Sequence, residues 1–339
     1  MRGVLFLGDR QCVVRDFPDP VPGPGEVVVA MKAAAICGSD LHLYRQSAQA
    51  RRGEIIPGHE PAGVVAQVGP GVTGVQPGDR VAVYHYRGCG RCRYCRGGQM
   101  MWCPQARGLG GPIHGSDADF LLTDERNCLP LPAELSFVDG AFIACIASTI
   151  WSAMKKLQPS GRDALAVFGL GPVGLMGVVM AKALGARVLG VDIIGERLAL
   201  ARELGAEEVV DASGEESVPS AVRRWAGGEG ADLALEASGS PPAQAAIVES
   251  VRRGGRIVFV GAGSAEKSIS PSQLIGRQLT LMGSFVGSVH EFWELTAFML
   301  ERKLELGRMV THRFALEAAP EAFRLFDSGR TGKVVFEWE

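Results

Sequence analysis

The sequence lacks an excess of either charge. Its 339 residues carry 35 Lys and Arg against 37 Asp and Glu. No basic field is available to hold a phosphate backbone, which excludes nucleic acid as a main partner. Cysteine is sparse: eight residues in a chain of this length cannot make a disulfide scaffold. The first residues, MRGVLFLGDRQ, hold too short an apolar stretch for a secretory signal. The longest uncharged run, residues 164–181, brushes the length of a membrane span. Gly169, Gly171, Pro172, Gly174 and Gly177 interrupt it, which suits a strand, a turn and a helix better than a lipid-facing helix. Internal repeats and low-complexity tracts are missing as well. The expected setting is cytoplasmic, with no membrane partner and with reduced thiols free to bind metal.

What is present supports a folded, two-domain chain. The apolar share of 47% allows real cores, and the length predicts two domains at roughly 150 residues each. Glycine is abundant, 45 residues or about 13% against a typical ~7%, without a collagen-like period. The first part of the chain consists of short apolar runs cut by Gly and Pro, at 25–36, 61–69, 78–84 and 119–131. These read as strands of an irregular β domain. From about residue 140 the texture changes. A helix is expected over 139–156, then strands at 164–168, 187–192, 208–211, 232–237, 256–260 and 280–283 with helices between most of them. That alternation predicts a doubly wound parallel sheet. Helices at 290–303 and 319–327 and a strand at 333–338 complete the chain.

Gly169-Leu170-Gly171-Pro172-Val173-Gly174 follows directly on the expected strand 164–168 and opens an apolar helix. This is G-x-G-x-x-G in the context it requires. The first glycine permits the tight turn, the second lets the backbone approach a pyrophosphate, and the third allows close helix packing. Asp192 ends the next strand, 18 residues after Gly174. A carboxylate there accepts both ribose hydroxyls and repels a 2′-phosphate, which favours NAD over NADP; the alternative is a helix N-cap. Arg197 either contacts the same ribose or pairs with Glu203 or Asp192.

Cys89, Cys92, Cys95 and Cys103 lie in C-x2-C-x2-C-x7-C. Four thiolates this close can close a tetrahedral zinc site with no open position, so its role is structural. Gly88, Gly90, Gly97 and Gly98 supply turns, and Arg91, Arg93 and Arg96 offset the negative charge. The alternatives are an iron–sulfur cluster or unrelated thiols. A second set is dispersed: Cys37 in A-A-I-C-G-S-D-L-H, His59 and Glu60 in P-G-H-E-P-A-G, and Cys145 in F-I-A-C-I-A-S. Two thiolates and an imidazole would leave one zinc position open, the catalytic pattern. Taken singly, each is equally a buried small hydrophobe or a core histidine.

Together these motifs resemble those of the zinc-dependent alcohol dehydrogenases of the medium-chain dehydrogenase/reductase superfamily. The resemblance spans essentially the whole chain. It rests on C-G-S-D-L-H at 37–42, G-H-E-P-A-G at 58–63, G-D-R-V at 78–81, the four-cysteine lobe, G-L-G-P-V-G at 169–174 and G-A-D at 230–232.

The resemblance implies an α/β fold. A GroES-like β catalytic domain (1–147 and 287–339) carries the structural-zinc lobe (88–104), and a Rossmann NAD-binding domain (148–286) is inserted into it. It implies two zinc ions per chain and NAD. Cys37, His59 and Cys145 match the catalytic zinc ligands, and Glu60 the acid that can enter the coordination shell. Asp40 matches the carboxylate that orients the zinc-bound histidine, Ser39 and His42 the proton relay. Lys333, in S-G-R-T-G-K, matches a basic residue near the cofactor pyrophosphate. His85 matches a position that often lines the substrate pocket; the other possibility is a solvated histidine at a strand end. The implied reaction is reversible hydride transfer between an alcohol and NAD, giving an aldehyde or ketone. Polyol and threonine dehydrogenases of the superfamily often carry a carboxylate where this chain has Cys145, so polyol, sugar or threonine-type activity is the alternative. A zinc-free reductase or non-enzymatic relative is a more distant one. Relatives are commonly homo-oligomers, with a tetramer favoured and a dimer possible.

Overall fold

The computed structural model describes residues 1–50, 53–263 and 269–339. They form two units, Met1–Ser148 with Gly287–Glu339, and Thr149–Val286.

The first unit is built on the strand Glu26–Ala35. Its run of Val and Ala is buried along most of its length, as expected for β-branched and small side chains in the middle of a sheet. It pairs antiparallel with Pro61–Val68, with Phe120–Asp124 and with the last strand, Lys333–Glu337. Arg80–Val83, Cys128–Pro130 and Val310–Phe314 extend the sheet. Val27, Val29, Met31, Val65, Val81 and Leu121 form one apolar cluster. Phe6, Ile36, Tyr44, Phe323 and Phe336 belong to another. The run expected as a single strand at 119–131 is broken at Glu125–Asn127. There Asn127 turns inward and its Nδ2 donates to the carbonyls of Tyr84 and Tyr86, at 2.6 and 2.8 Å.

The helix expected over 139–156 starts earlier and is not uniform. Ser136 and Asp139 cap Phe137–Phe142 reciprocally. One π turn, Ile143–Ala147, follows, and then Ser148–Leu157 resumes the α form. The combined segment Phe137–Leu157 is long and apolar enough to cross a membrane, but 89% of its most apolar window is buried within the protein. That is the pattern of a core helix.

The second unit holds six parallel strands. Their order is Glu208–Asp211, Arg187–Asp192, Ala164–Phe168, Ala231–Glu236, Val251–Phe259 and Thr280–Gly283. This is the doubly wound order, with chain reversal at Ala164–Phe168. The uncharged run 164–181 divides as its glycines suggest, into the strand Ala164–Phe168 and the helix Pro172–Ala183. The fifth strand begins at Val251, five residues before the expected 256, directly after the helix Pro241–Ser250.

Candidate active site

In the first unit the chain brings Cys37, His59, Glu60 and Cys145 together. One ligand atom from each lies within 4.8 Å of the others. Different elements supply them. Cys37 follows the central strand. His59 and Glu60 precede Pro61–Val68. Cys145 sits in the π turn, where the extra residue per turn shifts side-chain direction; such turns recur at functional sites. Asp40 ties two of these residues to each other. Its Oδ2 accepts from the Cys37 backbone N–H at 2.8 Å, and its Oδ1 faces His59 Nδ1 at 2.9 Å. The carboxylate thereby claims Nδ1–H and leaves Nε2 as the ligating atom. Ser39 Oγ lies 3.3 Å from that Nε2. His42 is exposed on the same short helix, Asp40–Tyr44.

The electrostatics suit a cation. A hydrogen bond from Cys145 holds the Cys37 thiol well below its ordinary value, against burial. The same bond and burial push Cys145 well up. The two sulfurs thus share one proton. Burial opposes charge on His59, but Asp40 and Cys37 outweigh it and raise the imidazole well above its usual range. A divalent ion would take over the balancing of these charges and release the protons. Two thiols, an imidazole and a carboxylate at this separation fit zinc with one exchangeable position.

Lys333 departs from the expected pyrophosphate contact. Its side chain is fully buried, and its Nζ donates to Glu60 Oε1 at 2.6 Å and to the Ile36 carbonyl at 2.9 Å. The Phe142 ring lies 5.7 Å from the ammonium. Burial opposes the charge, but Glu60 and the neighbouring thiols more than offset it and hold the ammonium above its ordinary value. The donors are taken up inside the unit because a buried Glu60 without a cation would be strongly unfavourable.

His85 is buried rather than a solvated strand-end residue. Its Nδ1 donates to the Ala144 carbonyl at 2.6 Å, its ring lies 5.4 Å from that of His59, and Tyr84 and Tyr86 flank it. Burial lowers its pKa to about 3, so the ring is neutral and Nε2 keeps its lone pair.

The second cluster of Cys89, Cys92, Cys95 and Cys103 is also assembled. Cys92 Sγ caps the short helix Arg93–Arg96 and lies 3.6 Å from Cys95 Sγ, close to the edge of about 3.8 Å expected for a zinc tetrathiolate. Cys103 Sγ accepts from the N–H groups of Cys89 and Gln105. Backbone N–H groups of Arg91 and Cys92 pull the Cys89 thiol down to about 6. Among the described residues these two clusters are the groups of three or more metal-ligating side chains.

In the second unit, Gly169 has φ +83°, and a Cβ there would lie 2.6 Å from Ser238. A Cβ on Gly174 would lie 1.7 Å from the Gly169 carbonyl. Both positions require glycine. Gly171 precedes the helix Pro172–Ala183, whose first N–H groups face outward along its axis. This is a cradle that fits a pyrophosphate. Asp192 does more than end its strand. Its Oδ2 accepts from Leu170 N–H at 2.5 Å and its Oδ1 from Ile193 and Ile194 N–H. Arg197 Nη1 lies 3.7 Å from it.

The comparisons with known proteins agree with this geometry. Residues 172–301 match the model of the zinc-binding dehydrogenase family, and residues 23–133 that of the alcohol dehydrogenase GroES-like domain. The zinc-type alcohol dehydrogenase-like protein YphC of Escherichia coli (strain K12) is 36% identical over 100% of this chain and 99% of its own length. The chain belongs to the zinc-type alcohol dehydrogenase family. An L-threonine 3-dehydrogenase of Rhizobium etli is 34% identical over 96% of this chain and 94% of its own. The solved structure of alcohol dehydrogenase TADH from Thermus sp. ATN1 superposes with a TM-score of 0.91 at 33% identity, covering 99% of both chains. This zinc-type dehydrogenase is thus an oxidoreductase of the medium-chain superfamily, with a GroES-like unit and a Rossmann-type unit.

Sequence reasoning missed several residues of this dehydrogenase. Glu236 ends the strand Ala231–Glu236, fully buried, and accepts from the N–H groups of Ser238 and Gly239 at 2.9 and 3.0 Å. It shapes the turn against which Gly169 packs. Its place at the carboxyl end of a parallel strand was the available signal. The contact between Lys333 and Glu60 carried none.

Proposed function

We propose that the chain is an NAD-dependent zinc alcohol dehydrogenase. The observation that carries this reading is the cluster of Cys37, His59 and Cys145 with Asp40 behind the histidine. Those three side chains would hold a catalytic zinc, with Glu60 available when ligands exchange; Cys89, Cys92, Cys95 and Cys103 would hold a structural one. When bound, the two reactive groups supply Lewis acidity toward an alcohol oxygen and a hydride acceptor at the nicotinamide. The chain's own residues then position and deprotonate. Ser39, beside His59 Nε2, accepts a hydrogen bond from the alcohol and relays its proton by giving up its own as it takes the alcohol's, and exposed His42 hands a proton to solvent. Asp40 keeps the imidazole aimed. Alcohol and NAD+ become aldehyde or ketone, NADH and one proton. The deciding experiment follows NADH production across primary alcohols, secondary alcohols, diols and threonine. No turnover with any of them would overturn the reading.

A specific observation favours a substrate with a second polar group. His85 donates through Nδ1 to Ala144, so its Nε2 can only accept. A hydroxyl or ammonium next to the reacting carbinol is a matching donor. That supports the polyol, sugar or threonine-type reading, and the panel separates it: preference for diols or threonine over simple alcohols supports it, and the reverse order rejects it.

Asp192 supports NAD over NADP. The expected preference in kcat/KM is at least about tenfold, ~1.4 kcal/mol. Asp192→Gly should narrow it, and should also weaken NAD itself, because the N–H of Leu170 in the glycine turn and those of Ile193 and Ile194 lose their acceptor. Equal rates with both cofactors in the unaltered enzyme would reject the assignment.

A further inference from the structure

The fully buried side chain of Asp117 stands apart from the residues assigned above. Beyond the adjacent Ser116 hydroxyl, which is also buried, neither carboxyl oxygen finds a hydrogen-bond partner among the described residues. Both side chains press on one glycine. A Cβ on Gly58 would lie 2.0 Å from Asp117 Oδ1 and 2.7 Å from Ser116 Oγ, and Gly58 holds φ +90°. The same segment grips Gly58 through its backbone. Ser116 N–H donates to the Gly58 carbonyl at 3.1 Å and Asp117 N–H to the Pro57 carbonyl at 3.0 Å. The Asp117 carbonyl in turn accepts from Val4 N–H at 2.8 Å. Gly110 and Gly115 close in on the same peptide, where any Cβ would come within 2.8 and 2.1 Å of Gly58 backbone atoms. The next residue is His59.

We propose that Asp117 is a positioning residue for the metal ligand His59, acting through Gly58 as a buried wedge that holds that peptide in place. The argument is one of packing and charge. Asp40 fixes the imidazole at Nδ1, but the backbone that carries the imidazole is fixed by what encloses Gly58. No cation pairs with Asp117 among the described residues. Asp40, His59, Cys12 and Lys333 interact with it electrostatically, and Lys333 is committed to Glu60. Burial and the negative Asp40 push the Asp117 carboxyl well above its ordinary value. Asparagine has the shape of the aspartate side chain without its charge, so Asn tests the wedge alone.

This inference rests on the zinc reading above. The experiment compares the unaltered full chain with Asp117→Asn and Asp117→Ala, each loaded with zinc and in parallel with cobalt(II). It measures release of the metal to a chelator and the visible absorption of the cobalt forms. Asp117→Ala opens a void against Gly58 and is expected to release metal about tenfold faster, with a shifted cobalt band. Asp117→Asn is expected to stay within about threefold of the unaltered protein. If Asp117→Ala does not fold, Asp117→Ser takes its place. A variant that only melts earlier, with unchanged metal release and cobalt spectrum, overturns the proposal, since Asp117 is then mere packing. Asn behaving as badly as Ala overturns it too, because a charge is then required. Unaltered protein that takes up no metal at Cys37, His59 and Cys145 overturns the zinc reading and this proposal with it; changes confined to the variants bear on Asp117 alone.

Discussion

Lys333→Met is expected to destabilise the folded chain by about 3–5 kcal/mol. The substitution keeps most of the side-chain volume but removes the cation that pairs with Glu60. That carboxyl is fully buried, its Oε1 held by Lys333 at 2.6 Å and its Oε2 without a partner. Removing the ammonium leaves a choice between an unpaired buried charge and a proton taken up on folding. Burial already pushes the Glu60 carboxyl up, and without Lys333 it rises further. A group whose folded pKa lies above its unfolded one binds a proton on folding. The unfolded chain is common to both proteins, so the folded forms set the deficit: it is nearly constant below about pH 7, where both hold the proton, and grows as pH rises through about 8, where the unaltered Glu60 releases it and the variant does not. Equilibrium unfolding at several pH values measures it. The double variant Glu60→Gln/Lys333→Met should recover part of the loss, because the stranded group is gone. A loss below about 1 kcal/mol at neutral pH would show that the pair is solvated in solution.

Cys37→Ala is expected to abolish turnover, with a fall of at least about 10³-fold in kcat/KM, or ~4 kcal/mol. Its thiolate is the most strongly stabilised of the cluster, and its backbone N–H is held by Asp40. The change removes a proposed ligand without touching the four-cysteine lobe, which is built from separate elements. Metal analysis should fall from about two zincs per chain to about one. The contrasting variant, Cys103→Ser, is expected to retain the catalytic ion but lower thermal stability, because a closed site contributes folding energy. NAD reduction that survives Cys37→Ala unchanged would reject the catalytic assignment.

Much of this was legible in short stretches. The glycines at 169, 171 and 174 announced a turn between strand and helix because one strained backbone and two close approaches demand them. The four cysteines of residues 89–103 declared a site because their spacing is local, so no long-range folding is needed to bring them near one another. The strands Ala164–Phe168 and Arg187–Asp192 read directly from apolar periodicity. The helix expected over 139–156 was legible as a helix but not in its form. Nothing in Ile-Ala-Cys-Ile-Ala marks a π turn, since each residue is equally at home in an α-helix.

The residues that bind, cap or ligate through neighbours in the chain were determined by the sequence itself: the cofactor turn, the four-thiol lobe, and the residue types in C-G-S-D-L-H and G-H-E-P-A-G. Only the tertiary structure decided the partners across large separations. Lys333 meets Glu60 because the last strand, Lys333–Glu337, pairs beside Glu26–Ala35. His85 becomes a neutral acceptor because the Ala144 carbonyl takes its Nδ1–H. Asp117 meets Gly58 because the segment that carries it closes over that peptide. The physical reason is the same in each case. The charge state and direction of a buried polar group are set by whichever atoms the sheet register brings within about 3 Å of it, and that register is a property of the whole fold.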